Sequence, residues 1–120
     1  MVKEKMRTKL LSGIQPSGKL HLGNYFGAMK QFVDLQNSGD YDCLFPIVDL
    51  HTLTTLKDPE ALAENILDVY IDYLAIGINP DKSLVFQQSA APQVTELAWI
   101  FSTLVTTPWL ERAHAFKDKT

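Results

Sequence analysis

Residues 43–51 of the chain read Cys-Leu-Phe-Pro-Ile-Val-Asp-Leu-His. The first six form an apolar run that is too short for a helix of ordinary length, and such runs are typical of buried strands in parallel sheets. Pro46 has no amide hydrogen for a strand ladder, so we expect an irregularity in the pairing there. The run therefore predicts a buried parallel strand, and its carboxyl end carries the polar residues Asp49 and His51.

Segments with helical periodicity lie on both sides of this strand. From about Asn24 to Gln36 apolar residues recur at helical spacing, and residues 37–40, Asn-Ser-Gly-Asp, are typical of a helix end. After the strand, Asp58-Pro59-Glu60 combines a capping aspartate with a proline and an acid in the first turn. This second helix is predicted to run to about Ile76. Its predicted buried stripe consists of Leu62, Ile66, Val69, Tyr70, Tyr73 and Leu74.

Two further apolar runs complete the pattern. Leu10-Leu11 precedes a loop rich in glycine, proline and serine, and Leu84-Val85-Phe86 follows a turn, so each is predicted to be a short strand. A third helix is predicted from Val94 to about Thr106, interrupted at Pro108 and restarted near Trp109. Strands and helices then alternate three times, which predicts an α/β fold with a three-stranded parallel sheet, flanking helices and right-handed crossovers.

The composition excludes several classes of protein. The chain has 120 residues, of which 46% are hydrophobic and 21% charged, and its formal net charge is −3. These values argue against disorder, and the absence of a basic block argues against a protein that binds nucleic acid through its phosphates alone. No apolar stretch approaches the ~20 residues of a membrane span. The single cysteine suits a reducing compartment, so we expect a cytoplasmic protein that does not associate with membranes.

Three strands make only half of a doubly wound nucleotide-binding sheet. The sequence also stops at Lys117-Asp118-Lys119-Thr120, within what reads as continuing structure. We therefore expect residues 1–120 to be a single domain that forms the amino-terminal part of a larger catalytic domain. Ligands of such sheets bind beyond the carboxyl ends of the strands. Polar clusters fall at that edge in four places: Gly13–Gly18, His21–Asn24, Asp49–His51 and Gln87–Ser89.

The stretch Gly13–Tyr25, Gly-Ile-Gln-Pro-Ser-Gly-Lys-Leu-His-Leu-Gly-Asn-Tyr, closely resembles bacterial-type tryptophanyl-tRNA synthetases. Its His-Leu-Gly-Asn stands where class I aminoacyl-tRNA synthetases carry their His-Ile-Gly-His signature. The segments Ile47–His51, Trp109–Arg112 and Phe116–Lys119 match the family in order and spacing, so the resemblance covers about residues 9–120. It implies the first half of a Rossmann-like class I synthetase domain, and a tryptophan–tRNA ligase activity for the full-length protein.

The resemblance also implies catalytic and ATP-binding residues. His21 and Asn24, three residues apart at a helix start, would face the phosphate oxygens that gather negative charge during adenylate formation. Residues 15–17 would form an ATP-contacting loop, Gly23 would let the nucleotide approach the backbone, and Lys119 would reach the phosphates. The implied set is His21 and Asn24 as catalytic residues, and Gln15, Pro16, Ser17, Gly23, Asn24 and Lys119 as ATP-binding residues.

Each of these assignments has a structural alternative. For His21 and Asn24 the alternative is a capped helix with a surface histidine, because asparagine is a preferred capping residue. Residues 15–17, Gln-Pro-Ser, could form an ordinary turn. Lys119 could belong to a solvated run of charges. The flanking glycines and the resemblance to the family favour the functional interpretation of His21 and Asn24.

By alignment within the motif, the tryptophan substrate would contact residues of the first two strands. Its pocket would be lined by Leu11, Gly13, Val48 and His51. An indole ring needs an apolar slot and one acceptor for its N–H, and the family supplies that acceptor from an aspartate beyond residue 120. Leu11 departs from the aromatic residue of some relatives. The alternatives are ordinary core for Leu11 and Val48, and a histidine satisfied at a strand end for His51.

The resemblance further implies ATP with Mg²⁺ as the nucleotide substrate, tryptophan and tRNA as partners, and a homodimer with a contact near Trp99. Mg²⁺ would arrive on the phosphates, and no metal site built from protein ligands is expected, because no cysteine–histidine cluster has zinc spacing. The Lys-Met-Ser-Lys-Ser-type loop that grips pyrophosphate is absent. We therefore expect the chain alone to be nearly inactive. The alternatives are a tyrosyl-type synthetase or another nucleotidyltransferase with a similar motif, and a non-catalytic dimerising fragment.

Overall fold

The computed structural model describes residues 7–117 of the chain. The chain forms two compact units, and the boundary between them lies between Ala90 and Ala91. The first unit contains a parallel sheet with the strand order β1-β2-β3. Its strands are β1 (Thr8–Leu11), β2 (Tyr41–Ile47) and β3 (Leu84–Gln87). The predicted α/β fold with a three-stranded parallel sheet and flanking helices is confirmed, whereas the single domain over residues 1–120 stays a prediction.

Strand β2 is the central strand and is buried as its apolar sequence predicts. Cys43 pairs with Leu10 of β1, and Phe45 pairs with Val85 of β3. The side chains of Cys43, Phe45 and Ile47 are 3%, 0% and 3% exposed, so the strand supplies the centre of the core.

Pro46 interrupts the ladder between β1 and β2. Ser12 donates its N–H to the carbonyl of Leu44 at 3.2 Å, and Val48 donates to the carbonyl of Ile14 at 2.9 Å. The proline between these two bonds has no amide hydrogen to donate. Regular pairing with β1 therefore ends before the proline and resumes only as an isolated bridge, which confirms the expected irregularity.

The first crossover is helical over a longer stretch than the sequence predicted. It consists of three consecutive segments: α1 (Leu22–Asn24), a π-helical turn (Tyr25–Met29) and α2 (Lys30–Ser38). The prediction ran from about Asn24 to Gln36, so the helix extends two residues beyond it at each end. Gly39 follows with φ of 72°, a left-handed conformation that glycine adopts without strain and that commonly ends a helix.

The second crossover contains a short helix that the sequence did not reveal and a long one that it did. Helix α3 (Asp49–Thr52) directly follows β2, and helix α4 (Pro59–Ala75) returns the chain to the sheet. The Asp58 carboxylate caps α4, accepting from the N–H of Glu60 at 3.0 Å, as its position before the proline predicts.

The buried stripe of α4 is narrower than predicted. Val69 and Tyr73 are fully buried. Tyr70 and Leu74 are 37% and 41% exposed, which contradicts their place in the predicted stripe. Each follows a fully buried residue by one position and therefore points about 100° away from it around the helix.

Aromatic rings join both crossovers to the same face of the sheet. Phe32 of α2 stacks on Phe45 of β2 with ring centroids 4.7 Å apart. Tyr73 of α4 meets both rings edge-on, at 6.2 Å and 6.5 Å. Helices α2 and α4 therefore cover one side of the sheet together, as right-handed crossovers require. Such aromatic pairs add roughly 0.5–1.5 kcal/mol each beyond the area they bury.

A buried amide holds the amino-terminal edge of the sheet. Gln36 of α2 is 5% exposed. Its Nε2 donates to the carbonyl of Gly77 at 3.1 Å, and its Oε1 accepts from the N–H of Asn79 at 2.7 Å and from Ser83 Oγ at 3.0 Å. This one side chain therefore connects the end of α2 to the turn that leads into β3.

The second unit is helical. It contains α5 (Gln93–Leu104), α6 (Thr107–Leu110) and α7 (His114–Lys117). Helix α5 confirms the helix predicted from Val94, while Pro108 lies in the first turn of α6, where proline is well tolerated. Trp99 is 73% and Trp109 65% exposed, so neither is a core residue. Among the described residues, no helix has both the length and the apolar character needed to cross a bilayer.

Candidate functional site

The loop after β1 begins at a glycine that lies flat against β2. A Cβ atom at Gly13 would overlap the carbonyl oxygen of Pro46 and would lie 3.0 Å from Val48 Cγ2. The absence of a side chain at Gly13 thus permits the backbones to approach each other beside the proline. The structure brings together Gly13 and Val48, two of the four residues predicted to contact the amino-acid substrate.

Gln15, Pro16 and Ser17 form a tight turn directly after this approach. The N–H of Ser17 donates to the carbonyl of Gln15 at 2.9 Å. Pro16 is buried and anchors the turn, while Gln15 is half-buried and Ser17 exposed. Neither the Gln15 amide nor the Ser17 hydroxyl hydrogen-bonds to any residue between 7 and 117. Both polar groups are therefore available to a ligand, although the turn alone would also explain Pro16 and Ser17.

His21 and Asn24 form a reciprocal capping box at the start of α1. The Nδ1 atom of His21 accepts from the N–H of Gly23 at 3.0 Å. The Oδ1 atom of Asn24 accepts from the N–H of His21 at 3.0 Å. The structural alternative for these two residues, a capped helix, is thus present in the molecule.

The capping hydrogen bonds leave free the N–H donors of His21 and Asn24 that adenylate formation would need. Because Nδ1 of His21 is the acceptor, the proton of the neutral ring sits on Nε2, which remains a donor. The Oδ1 of Asn24 is likewise occupied, while its Nδ2 amide keeps its donors. The capping box therefore fixes two side chains through their acceptors and leaves their donors free, so capping and catalysis are compatible.

Gly23 allows this arrangement. A Cβ atom at Gly23 would lie 2.8 Å from Cε1 and 2.9 Å from Nδ1 of His21. The imidazole therefore lies directly over the glycine backbone. A larger residue would displace the ring from its hydrogen bond. The sequence predicted that Gly23 admits a nucleotide, and the structure adds that it admits the histidine ring.

A cleft of about 320 Å³ lies between the first crossover and α4. It is lined by Leu20, His21, Leu22, Tyr25, Met29, Asp72 and Ile76. Of the predicted catalytic and ATP-binding residues that the structure describes, only His21 lines this cleft. The cleft combines apolar walls with an imidazole, a phenol and a carboxylate, and these groups can orient a ligand.

The remaining predicted contacts to the amino-acid substrate lie on the open side of β1 and after β2. Leu11 is 67% exposed, so it is not a core residue of the described part of the chain. Val48 is half-buried, and His51 is exposed in α3. The His51 ring makes no hydrogen bond to any other described residue, so the strand end does not satisfy it.

Three residues that the sequence placed at this edge without a role are joined by hydrogen bonds. The Asp49 carboxylate accepts from Gln87 Nε2 at 2.7 Å through Oδ2 and from the N–H of Ser89 at 3.0 Å through Oδ1. We call these three residues the Asp49 network. The signal for it was the placement of polar residues after two adjacent parallel strands, since their carboxyl ends meet at one edge.

The Asp49 network holds a buried anion. Asp49 is 5% exposed. Burial raises the pKa of Asp49, but hydrogen bonds from Ser89, Gln87 and the N–H of Leu50 outweigh it, so the pKa lies below its usual value of 3.8. The carboxylate is therefore ionised and fully engaged at neutral pH.

Two further predictions concern residues or groups at the margin of the site. Lys119 lies outside the described residues, so its place near the phosphates stays a prediction. Among residues 7–117, no group of three or more histidine, cysteine, aspartate or glutamate side chains could hold a metal ion.

Comparisons with known proteins match almost the whole chain. A family model described as tRNA synthetases class I (W and Y) matches residues 3–120. A tryptophan–tRNA ligase of Fusobacterium nucleatum is 56% identical over 109 residues, which are 91% of this chain and 33% of the relative. A tryptophan–tRNA ligase of Rhodopirellula baltica is 50% identical over 111 residues, 92% of this chain and 34% of the relative.

Solved structures agree with this match. The tryptophanyl-tRNA synthetase of Campylobacter jejuni, complexed with ADP and tryptophan, superposes with a TM-score of 0.81 at 45% identity. The match covers 95% of this chain and 34% of that one. The chain thus spans about a third of the length of the relatives it matches.

Proposed function

The chain belongs to the class I tRNA synthetases of the tryptophan and tyrosine type, and we propose that it forms part of a tryptophan–tRNA ligase, contributing ATP-binding and tryptophan-binding residues. The observation that carries the proposal is the capping box of His21 and Asn24, which follows the glycine-bounded loop at the carboxyl end of β1. The relatives reported above are tryptophan–tRNA ligases, which favours tryptophan over tyrosine.

The proposed reaction joins tryptophan to AMP. A carboxylate oxygen of tryptophan attacks the α-phosphorus of ATP, a new P–O bond forms, and the bond to the bridging oxygen breaks to release pyrophosphate. Negative charge grows on the phosphate oxygens during this step. His21 Nε2–H and Asn24 Nδ2–H are held in place by the cap, so they can stabilise that charge without reorganising.

The loop after β1 would complete the nucleotide site. Gln15 would donate its amide to the tryptophan carboxylate or a phosphate, and Ser17 would donate its hydroxyl to a phosphate. Pro16 holds the turn that presents both, and Gly23 keeps the helix backbone accessible to the nucleotide. Lys119 would add a cation near the phosphates. The ADP and tryptophan bound by the Campylobacter jejuni synthetase support this pair of substrates.

Mg²⁺ would accompany ATP through its phosphates. The described residues offer no carboxylate or imidazole cluster for an ion, so their donor set fits an ion carried by the nucleotide rather than one held by side chains. There it would neutralise phosphate charge. The residues of this chain would act on the nucleotide directly.

The tryptophan side chain would lie between β1 and the residues that follow β2. Gly13 lets the loop backbone lie close to Pro46 and Val48, Val48 would supply an apolar wall, and Leu11 and His51 would close the sides. The exposure of Leu11 and His51 supports this assignment, because side chains buried in the core could not contact a ligand. In the full-length protein the tryptophan would then be transferred to tRNA, in the cytoplasm.

A homodimer is the second part of the proposal. Helix α5 exposes Trp99, Ile100 and Leu104 at 73%, 53% and 68%, which supports a contact with a second copy. The same apolar surface also supports the alternative, in which the chain dimerises without binding substrates.

Titrations of the chain with ATP and with tryptophan test the proposal, read by NMR so that weak binding is visible. We expect ATP to shift the amide resonances of Gly23 and Asn24, and tryptophan to shift those of Gly13 and Val48. Tyrosine is the matched control and should shift the latter pair less. If neither ATP nor tryptophan shifted these resonances while the chain self-associated, the dimerising alternative would be supported instead.

Pyrophosphate exchange tests the expected inactivity of the chain alone. The Lys-Met-Ser-Lys-Ser-type loop is absent from the sequence, so the chain would lack the segment that binds pyrophosphate. We expect exchange near the background rate. A rate comparable to that of an intact synthetase would contradict this expectation.

A further inference from the structure

Helix α3 cannot hold its own position. It has four residues, Asp49–Thr52, and isolated helices of that length are not stable. Its N-cap residue, Val48, has φ −89° and ψ 67° and provides no side-chain cap. Within the helix, the Thr52 hydroxyl donates to the carbonyl of Val48 at 3.3 Å, which links α3 only to its own start. Contacts with other elements must therefore place α3.

The Asp49 network supplies such contacts. Asp49 is the first residue of α3, and its partners Gln87 and Ser89 lie 38 and 40 residues further along the chain, at the end of β3. Besides the N–H of Leu50 within α3 itself, the carboxylate receives one distant donor on each oxygen, the Gln87 amide on Oδ2 and the Ser89 N–H on Oδ1. Two bonds from one carboxylate fix both the position and the orientation of the helix start. Hydrogen bonds to a charged acceptor are also the stronger kind.

We propose that Asp49 is a positioning residue for the proposed substrate site. By joining the start of α3 to the end of β3, it fixes the backbone that carries His51, and it acts on Val48 together with the bond from the Val48 N–H to the Ile14 carbonyl. Asp49 itself is buried and does not contact the substrate. The inference rests on the proposed function for the identity of the ligand, while the placement of Val48 and His51 by Asp49 can be tested without it.

Two substitutions at this position separate geometry from charge. Asp49→Ala removes both acceptors and leaves the Ser89 N–H and the Gln87 amide unpaired. Asp49→Asn keeps an acceptor for the Ser89 N–H, and its own amide can donate to Gln87 Oε1 once the Gln87 amide has rotated. Asp49→Asn should therefore rescue what Asp49→Ala loses, since the pair has the same shape and complementary groups.

NMR of the whole chain measures the placement directly. In Asp49→Ala we expect the Ser89 amide to exchange with solvent about tenfold faster or more, because its buried partner is gone. The His51 ring and Val48 methyl resonances should shift and broaden. Titration with L-tryptophan should show an affinity about tenfold weaker than that of the unsubstituted chain. Asp49→Asn should leave all three measurements close to those of the unsubstituted chain.

Gln36→Ala is the matched control for lost stability. It also removes a buried side chain with several hydrogen bonds, but at the opposite, amino-terminal edge of the sheet. We expect it to lower the unfolding temperature while leaving the His51 and Val48 resonances in place. A destabilised protein alone would then not account for the effect of Asp49→Ala.

Unmoved Val48 and His51 resonances in Asp49→Ala, together with a released Ser89 amide, would overturn the inference, because Asp49 would then hold only the end of β3. The same holds if Asp49→Asn failed to rescue them. If L-tryptophan shifted no resonance of the unsubstituted chain, the proposed function would fail, and the resonances of Val48 and His51 would still decide the positioning role.

Discussion

Gly13 and Gly23 both lie too close to a neighbouring group for any side chain, but the neighbours differ in kind. Gly13 faces the backbone carbonyl of Pro46 in the central strand, which cannot yield without distorting the sheet. Gly23 faces the His21 ring, which can rotate away at the cost of its hydrogen bond. The two glycines should therefore differ in effect: one acts on stability and the other on the orientation of a site residue.

Gly13→Ala should destabilise the chain. The added methyl group would force β1 away from Pro46, and overpacking of this kind costs about 3 kcal/mol at the upper end of its usual range. Urea unfolding measures the change. Gly27→Ala is the control, because nothing lies within 4 Å of its Cβ position. An equal response of the two variants would contradict the close approach at Gly13.

His21→Asn should separate capping from substrate binding. Asparagine is a preferred N-cap residue, so the change in stability should stay within about 0.5 kcal/mol. The Nε2–H donor is lost, and we expect ATP affinity to fall by about tenfold. Calorimetric titration and thermal unfolding give the two quantities. Undiminished ATP affinity would indicate that His21 serves only as a cap.

The stability of the chain in acid should depend on Asp49. Its pKa is lowered in the folded chain from 3.8, so the carboxylate stabilises the fold above that value and the contribution disappears as pH falls through the lowered pKa. Asp49→Asn should remove this part of the acid dependence. Unfolding free energies measured from neutral pH to below pH 3.8 would show it. Parallel acid limbs in both proteins would exclude Asp49 as the titrating group.

At the scale of elements, the sequence predicts what local patterns control. Helix α4 was predicted from the capping residue Asp58 and from its periodic apolar side chains. Strand β2 was predicted from the apolar run around Phe45. Helix α3 was not predicted, because four residues are too few to show a period and its position depends on Ser89, far along the chain. The width of the buried stripe on α4 was not predicted either, because the sequence pattern does not distinguish Tyr70 from the buried apolar residues near it.

Much of the candidate site could likewise be predicted, but not its hydrogen bonding. The spacing of His21 and Asn24 indicated that they share one face of a helix start. The reciprocal bonds, and hence which atoms remain donors, depend on ring and amide orientations that a sequence does not specify. The Asp49 network depends on the pairing of β2 with β3, so its residues could be placed at one edge but not joined.

Gln36→Leu should show how much one buried amide stabilises the α2 element. The variant leaves the N–H of Asn79 and the Ser83 hydroxyl without their buried acceptor, which costs about 3 kcal/mol in total. Chemical unfolding gives the difference. Gln31→Leu on the same helix is the control, since Gln31 is exposed and surface changes stay within about 0.5 kcal/mol. Similar losses in both variants would contradict the structural role of Gln36.

At the scale of the whole molecule, apolar surface remains uncovered on both compact units. Leu67 and Ile71 of α4 are 58% and 52% exposed, and Trp99 of α5 is 73% exposed. Patches of this kind mark interaction surfaces or aggregation hazards in a monomer. The chain also spans about a third of its relatives' length.

Light scattering over a range of concentrations should detect self-association of the chain. If α5 is the contact, Trp99→Ser should shift the average mass toward that of the monomer, because the change removes the most exposed aromatic side chain of the helix. Gln93→Ser on the same helix serves as the control, and it should have no effect. A monomer at every concentration would contradict the proposed dimer.

The meeting of Gly13 and Pro46 has a consequence for how the sheet aligns as the chain folds. Strand β1 has only four residues, and Leu10 alone among them is half-buried, so apolar burial by itself does not fix its alignment against β2. Sliding β1 by two residues would set a side chain against the Pro46 carbonyl, and this costs energy wherever the residue is not glycine. Because only glycine fits beside the Pro46 carbonyl, the pair Gly13 and Pro46 favours the observed register of β1 over registers shifted by two residues.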